Sequence, residues 1–416
     1  VPATDFVQRR PNPGAPSAER TEVRILFDDE NLYVGFYCFD TQADRLVVND
    51  LEEDFNFRGS DGVTLAIDSR HDMRSGFLFV ANPAGAKSDG QVSLTRLDLD
   101  WDGVWDVGAS RTDEGWFAEF AIPFKTLRFT PATSQEWGIN FNRRVLRLNE
   151  DSDWAPIPIR YNISRVSQYG TLRGLEGISQ GRNLTVTPFV TAGVTQLRAT
   201  NDPTQNFETD QDYDGGVDLK YGLTSSVTLD ATYRTDFAQV EVDQQQVNLT
   251  RFNLFFPEKR DFFLENSSTF DFGAGGNLVP FFSRRIGLSR SGTPIPIVGG
   301  GRVTGQVGRY DVGFLAMKTE RLDTTPANSY LVGRVKRNLM TNSWVGAMVT
   351  NRDSTVEGDY NRVYGADVHF QFYDRLVLDS HLLRSDTPGL SGENQARQFQ
   401  AAWRDDELTI AAGYNE

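Results

Sequence analysis

In the stretch SVTLDATYRTDF, Val227, Leu229, Ala231, Tyr233 and Phe237 fall on one face of an extended chain, and Thr228, Asp230, Thr232, Arg234 and Asp236 fall on the other. A period of two is the signature of a β-strand and is incompatible with a helix. VYGADVHFQFY repeats it, with Tyr364, Ala366, Val368, Phe370 and Phe372 opposing Gly365, Asp367, His369 and Gln371, and GGVDLKYGL does the same. Roughly ten such segments of about 9 to 13 residues follow Leu184, separated by polar turns such as TSS, GRY, MTNS and YDR. Two architectures accommodate them: transmembrane strands with an apolar outer face and a polar lumen, or a soluble sandwich wet on one face. Aromatics near strand ends (Tyr221, Tyr310, Tyr330, Trp344, Tyr364, Tyr373 and Tyr414) favour the first, as girdles at a bilayer interface. No apolar run approaches the 18 or more residues of a transmembrane helix, so a membrane role requires strands. The chain ends on the alternating strand LTIAAGYNE, and an open edge is untenable in lipid, so the barrel is expected to be incomplete at this point. The start, VPATDF, fits either a removed signal peptide or a fragment.

Residues 20 to 176 read differently. Short alternating runs (TEVRILF, NLYVGFYCFD, DGVTLAIDS, SGFLFVANP, GWFAEFAIPF and WGINFNRRV) lie between turn clusters, the spacing of an antiparallel β-sandwich. IPFKTLRF is the one expected helical turn, with Pro123 in its first turn. The expected organisation is an N-terminal extension over 1–19, a sandwich over 20–176, a Gly-rich linker over 177–183 and a barrel portion over 184–416. The fold class is all-β, an antiparallel β-sandwich followed by an incomplete antiparallel transmembrane β-barrel.

Composition narrows the partners. A net charge of −15 without a Lys/Arg stripe excludes nucleic acid, whose phosphates demand a basic face. Cys38 is the single cysteine, which excludes an intrachain disulfide framework; it alternates with Val34 and Phe36 and reads as a small core residue. The segment FNLFFPEKRDFFLENSSTFDF, residues 252–272, holds seven of the 29 phenylalanines around Glu258, Lys259, Arg260 and Asp261. It suits a barrel wall or rim whose rings meet lipid or neighbouring strands while the ions pair in the lumen, and Pro257 favours a bend or inward fold.

The motifs NLYVGFYCFD, GSDGVTLAIDSRHD, WDGVW, GWFAEFAIPFKTLRF and WGINFNR resemble the family 9 carbohydrate-binding-module-like sandwich. DFAQVEVDQQQVNLTRFNLFFPEKRDFFLEN and FFSRRIG are similar to a bacterial family of unknown function in which that sandwich is fused to an outer-membrane β-barrel. The resemblance implies an outer-membrane location in a Gram-negative bacterium and a glycan-binding-like domain, periplasmic or at the cell surface. It implies no established reaction, only a hydrolase by analogy.

Catalytic motifs are missing from the sequence. His71, His369 and His381 occupy no H-E-x-x-H, and neither a G-x-S-x-G elbow nor a Walker loop occurs. GGGRVTG misses the dinucleotide spacing and reads as a loop. Sugar recognition needs exposed aromatic planes beside polar groups, which makes Phe57, Trp101, Asp102, Trp105 and Trp154 the candidate site; packing between the sheets is the alternative fate of the tryptophans. Phe57 stands where the sugar-binding pattern would more usually carry tryptophan. Asp61, Asp68 and Asp72 could hold a structural Ca²⁺ or could cap turns. The expected function is glycan binding or capture by an outer-membrane β-barrel protein, with outer-membrane lipid and envelope proteins as further partners. A polysaccharide-active hydrolase and a non-catalytic envelope scaffold are the alternatives.

Overall fold

The computed structural model describes residues 2–93, 96–99, 101–130, 132–180, 184–197, 208–224, 226–235, 258–273, 278–289, 294–322, 324–340, 342–373, 375–405 and 407–416. It is all-β and antiparallel.

The first half is two stacked sheets. One has four strands, in the spatial order Thr21–Phe27, Asn31–Phe39, Gly115–Pro123 and Asp106–Thr112. The other has eight, running from Val7–Arg10 through Glu150–Asp153, Ser134–Val145, Gly62–Asp68, Ser75–Ala81 and Lys87–Ser93 to Arg96–Asp98, with Gly170–Glu176 paired to Ser134–Val145. Alternation decides which side chains meet between them. Leu32, Val34, Phe36 and Cys38 point inward with Trp116, Ala118, Phe120 and Ile122, and pack on Val63, Leu65, Ile67, Phe77 and Phe79 of the larger sheet. Each large apolar side chain so buried contributes about 1.5–3 kcal/mol. The far side of the larger sheet is covered too, since Ala66, Leu78 and Val92 lie under Val166, Ile163 and Tyr169. Burial on both faces explains why Gly62–Asp68 is buried at every position. The stretch expected as an N-terminal extension contributes to this domain, with Phe6 in the core and Val7–Arg10 paired to Glu150–Asp153. IPFKTLRF is strand as far as Pro123 and then a tight turn, in place of the expected helical turn.

The second half is one eleven-stranded meander from Leu184–Leu197 to Thr409–Asn415, each strand paired to the next in sequence. Its connections alternate in length. At one end they span two to four residues, as between Val307 and Tyr310 or Phe372 and Leu376; at the other they span at least five, the longest running from Tyr233 to Ile297.

The inner face of this sheet mixes buried ion pairs with apolar side chains, and its outer face exposes apolar ones. Asp230, Arg302, Arg334, Asp367 and His369 are buried on the inner face, whereas Val190, Phe314, Leu331, Val349, Leu382 and Phe399 are exposed on the outer one. Val227, Leu229, Val368 and Phe370 lie on the half-buried outer side of strands whose inner neighbours are buried. The girdle expectation divides. Tyr310, Tyr364, Tyr373 and Tyr414 are exposed, but Trp344 is buried and stacks on His369 at 4.2 Å, because its parity along Ser343–Ser354 places it with inward Met348 and Thr350.

The concave side is filled by residues 258–273 and 278–288, which lie in the connection between Val227–Tyr233 and Ile297–Val307. Phe262, Phe263, Phe270 and Phe272 pack there on Ile297, Leu315, Met317, Val332, Met348 and Leu383, drawn from strands across the sheet. One short segment can touch so many strands only if the sheet curls around it. Phe262, Phe263, Phe270 and Phe272 therefore face inward, and not toward lipid as a wall position would require. Phe252, Phe255 and Phe256 lie outside the described residues. Arg260 is buried and pairs with Glu258 through Nε and Nη2, both at 2.8 Å, while the Ser283 and Ile286 carbonyls accept its remaining N–H groups.

Candidate functional site

Trp101 and Trp105 are 5% and 2% exposed, so neither offers a ring face to solvent. Trp105 stacks on Phe120 at 5.4 Å and 7°, and Trp101 packs on Phe77 at 5.0 Å. The WDGVW loop is a structural hook. The Trp105 indole N–H and the Gly103 backbone N–H both donate to Oδ2 of Asp89 at 2.8 Å, and Gly103 lies so close to the Trp101 ring that a Cβ would stand 2.6 Å from it. Trp154 is half-buried, 5.5 Å from Phe141. Phe57 joins a satellite cluster with Phe55, Val80 and Ala86. Trp101 and Trp105 thus take the alternative fate of packing between the sheets, while Trp154 is half-buried.

Asp61, Asp68 and Asp72 do not share an ion. Asp61 precedes the strand that Asp68 ends, which separates them by roughly 23 Å of extended chain. Each carboxylate instead accepts backbone N–H groups: Asp61 from Val47 and Leu146 at 2.7 and 2.6 Å, Asp68 from Met73 at 2.8 Å, and Asp72 from Arg74 and Ser75 at 2.8 Å. Burial, then the charge of Asp72, pushes the Asp68 carboxyl up to about 7.

Asp102 belongs to a group that sequence spacing did not bring out. Among the described residues, Asp54, Asp89 and Asp102 place one carboxylate oxygen each within 4.8 Å of one another, two of the carboxylates exposed and Asp89 buried. Burial pushes Asp89 up to about 7, with the Gly103 and Trp105 hydrogen bonds acting the other way and the Asp102 and Asp54 charges adding to it. Oxygen ligands are the type a hard cation such as Ca²⁺ takes, and these three would be part of its coordination shell of about six to eight.

The two halves meet where the strand connections are short. Arg128 of the sandwich pairs with Glu265 at 2.5 Å, and Glu265 also pairs with Lys220 of the meander. Gln91 and Asn266 exchange two hydrogen bonds of 3.2 Å, and Ser267 Oγ donates to Asp98 at 2.7 Å. Arg74 donates to the Met340 carbonyl, and Arg165 to Gln371 at 3.1 Å. Higher in the concavity Arg334 grips Asp367 with two hydrogen bonds of 2.5 and 2.7 Å, and donates to the Asp271 carbonyl at 3.1 Å. Gly273 N–H completes Asp367 at 3.0 Å. The filling segment is therefore held by bonded charges at both the wall and the sandwich, and breaking one partner of such a buried pair typically costs about 3–5 kcal/mol.

These features define a class: an all-β protein in which a sandwich is bonded to the short-connection end of a curled sheet, filled by its own insertion and carrying buried ion pairs on its inner face. A family model described as a domain of unknown function (DUF5916) matches residues 182–297, the first three strands of that sheet and the insertion. No curated protein matches the chain. Among solved structures the chain is similar to a "putative carbohydrate-binding protein" from Bacteroides uniformis, at 13% identity and a TM-score of 0.33, over 37% of this chain and 78% of that one.

Proposed function

We propose that the chain is an envelope protein of a Gram-negative bacterium. Its eleven-stranded half forms wall of an outer-membrane β-barrel, and its sandwich is a glycan-recognition module held on the periplasmic side. The two faces of the sheet carry the membrane reading: ion pairs such as Arg302–Asp230, 3.0 Å apart, are buried inside while Leu331, Val349 and Phe399 stand exposed outside. Water on both sides would favour the opposite arrangement, whereas lipid outside and a filled interior holding ion pairs favour this one. Sidedness follows from the connections. Outer-membrane barrels turn tightly in the periplasm and carry their longer loops outside, and the sandwich contacts Met340 and Gln371 beside the tight turns. The glycan reading rests on the resemblance of the sandwich motifs and on the two-sheet architecture that holds them.

Cysteine labelling tests both location and sidedness, since Cys38 is buried and contributes little background. A membrane-impermeant maleimide is expected to reach Ser391→Cys, in a long connection, on intact cells, and Glu114→Cys, on the sandwich, only after the outer membrane is permeabilised. Labelling of Glu114→Cys on intact cells would refute the periplasmic placement, and recovery of the protein in the soluble fraction would refute the membrane reading.

A further inference from the structure

The outer face of the four-stranded sheet carries an arrangement that neither the core nor the junction with the second half uses. Tyr33, Gly35 and Tyr37 point outward from Asn31–Phe39, because their neighbours Leu32, Val34, Phe36 and Cys38 fill the core. Cross-strand pairing sets Leu26 and Ala121 beside Tyr33, Arg24 and Glu119 beside Gly35, and Phe117 beside Tyr37. Gly108 lies beyond Glu119 in the same row. The surface thus has aromatic residues at either end, Tyr33 and the Tyr37–Phe117 pair with centroids 5.0 Å apart, and between them the row Arg24, Gly35, Glu119, Gly108, in which each charged residue stands beside a glycine. Tyr33 and Tyr37 are roughly 13 Å apart along the strand.

Glycine inside a strand weakens it and calls for a reason. Backbone geometry supplies none at Gly35 or Gly108, since neither has a left-handed φ. Packing supplies none either: a Cβ on Gly108 would meet nothing within 4 Å, and one on Gly35 would meet only the Tyr37 ring at 3.9 Å. Close approach of a ligand remains. The Tyr33 ring is also held in place. Its hydroxyl donates to Asp28 at 2.9 Å and accepts from Asn31 at 3.2 Å, and Asp28 is fixed in turn by the backbone N–H groups of Glu30 and Asn31. A ring immobilised while 37% exposed is a stacking surface whose ordering cost has been met in advance. Among the described residues, bonds from the sandwich to the second half run through Arg74, Gln91, Asp98, Arg128 and Arg165, which do not lie on this sheet.

We infer that this face is a glycan-binding platform: hexopyranose units of a polysaccharide chain lay their C–H faces on Tyr33 and on the Tyr37–Phe117 pair, pass closely over the glycine floor at Gly35 and at Gly108, and hydrogen-bond through their hydroxyls to Glu119 and Arg24. The inference rests on the glycan reading of the sandwich and gives that reading a place. Rings supply apolar contact, and the charged pair supplies orientation, the division of labour a sugar site requires.

The test uses the full chain in lauryldimethylamine oxide, a detergent without a sugar headgroup, titrated calorimetrically with cellohexaose, xylohexaose and mannohexaose. At least one is expected to bind, and both Tyr33→Ala and Gly108→Val are expected to weaken that binding at least about tenfold. Gly108→Val fills the floor with a residue that strands favour, so its loss of binding cannot be ascribed to unfolding. If a hexaose binds and either variant keeps the wild-type affinity, the platform is wrong while the glycan reading stands. If none of the three binds, both fall.

Discussion

Asp89 shows how far one residue redirects the reading of a motif. WDGVW has the look of an exposed aromatic clamp, yet its fate is set by a carboxylate two strands away in sequence that takes the Trp105 and Gly103 N–H groups and draws the loop onto the core. No local period encodes that pull, so the sequence left open whether Trp101 and Trp105 pack between the sheets or face solvent. By contrast Tyr33 and Gly35 sit in the plainest alternation of the chain, and the signal there was an interior glycine with rings on either side. A pH dependence follows from Asp89. Its folded carboxyl titrates near 7, above the value of about 3.9 for an unfolded aspartate, so the folded state holds the proton more tightly. The associated stability is full below about pH 4 and is lost as pH rises toward 7. Asp89→Asn keeps an oxygen that can accept both N–H groups and has no proton to lose. In melts between pH 5 and 8 with a chelator present, the wild type is expected to lose up to a few kcal/mol relative to the variant; parallel curves would show that Asp89 is not the titrating group.

Among the elements, the strands were legible and the filling segment was not. A period of two survives burial, so the runs around Val227 and Val368 gave both the strand and its outward face. Among the described residues 258–273 and 278–288 there are one helical turn and two 3₁₀ turns, and such short pieces leave no periodic trace. The interleaved phenylalanines and ions were read as a barrel wall or rim, and Pro257 alone pointed to an inward fold. The wall is shaped to receive them. A Cβ at Gly365 would lie 2.7 Å from the Phe272 ring and 2.4 Å from Leu383, so the glycine is what lets the ring seat. Gly365→Val is expected to unseat Phe272 at a cost of about 1–3 kcal/mol, as overpacking does. The readout is the temperature at which heat-modified gel mobility is lost, lowered in the variant; an unchanged temperature would mean that the ring can move aside freely.

At the scale of the molecule, composition and period predicted an all-β chain of two parts with a linker at 177–183, and the resemblance named what such a pair is expected to be. Which end of the meander the sandwich occupies depended on contacts hundreds of residues apart, such as Arg74 with Met340 and Arg165 with Gln371, and had no sequence signature. The central claim is that the outer face of the meander lies in lipid. Nitroxide labels at Leu331→Cys, Val335→Cys and Val349→Cys in proteoliposomes, with Glu119→Cys as the aqueous reference, test it by collision with oxygen and with a nickel chelate. The account predicts that the three meander labels relax with oxygen and are shielded from the nickel chelate, while the label at position 119 responds to the chelate. Ready access of the chelate to positions 331, 335 and 349 would contradict it.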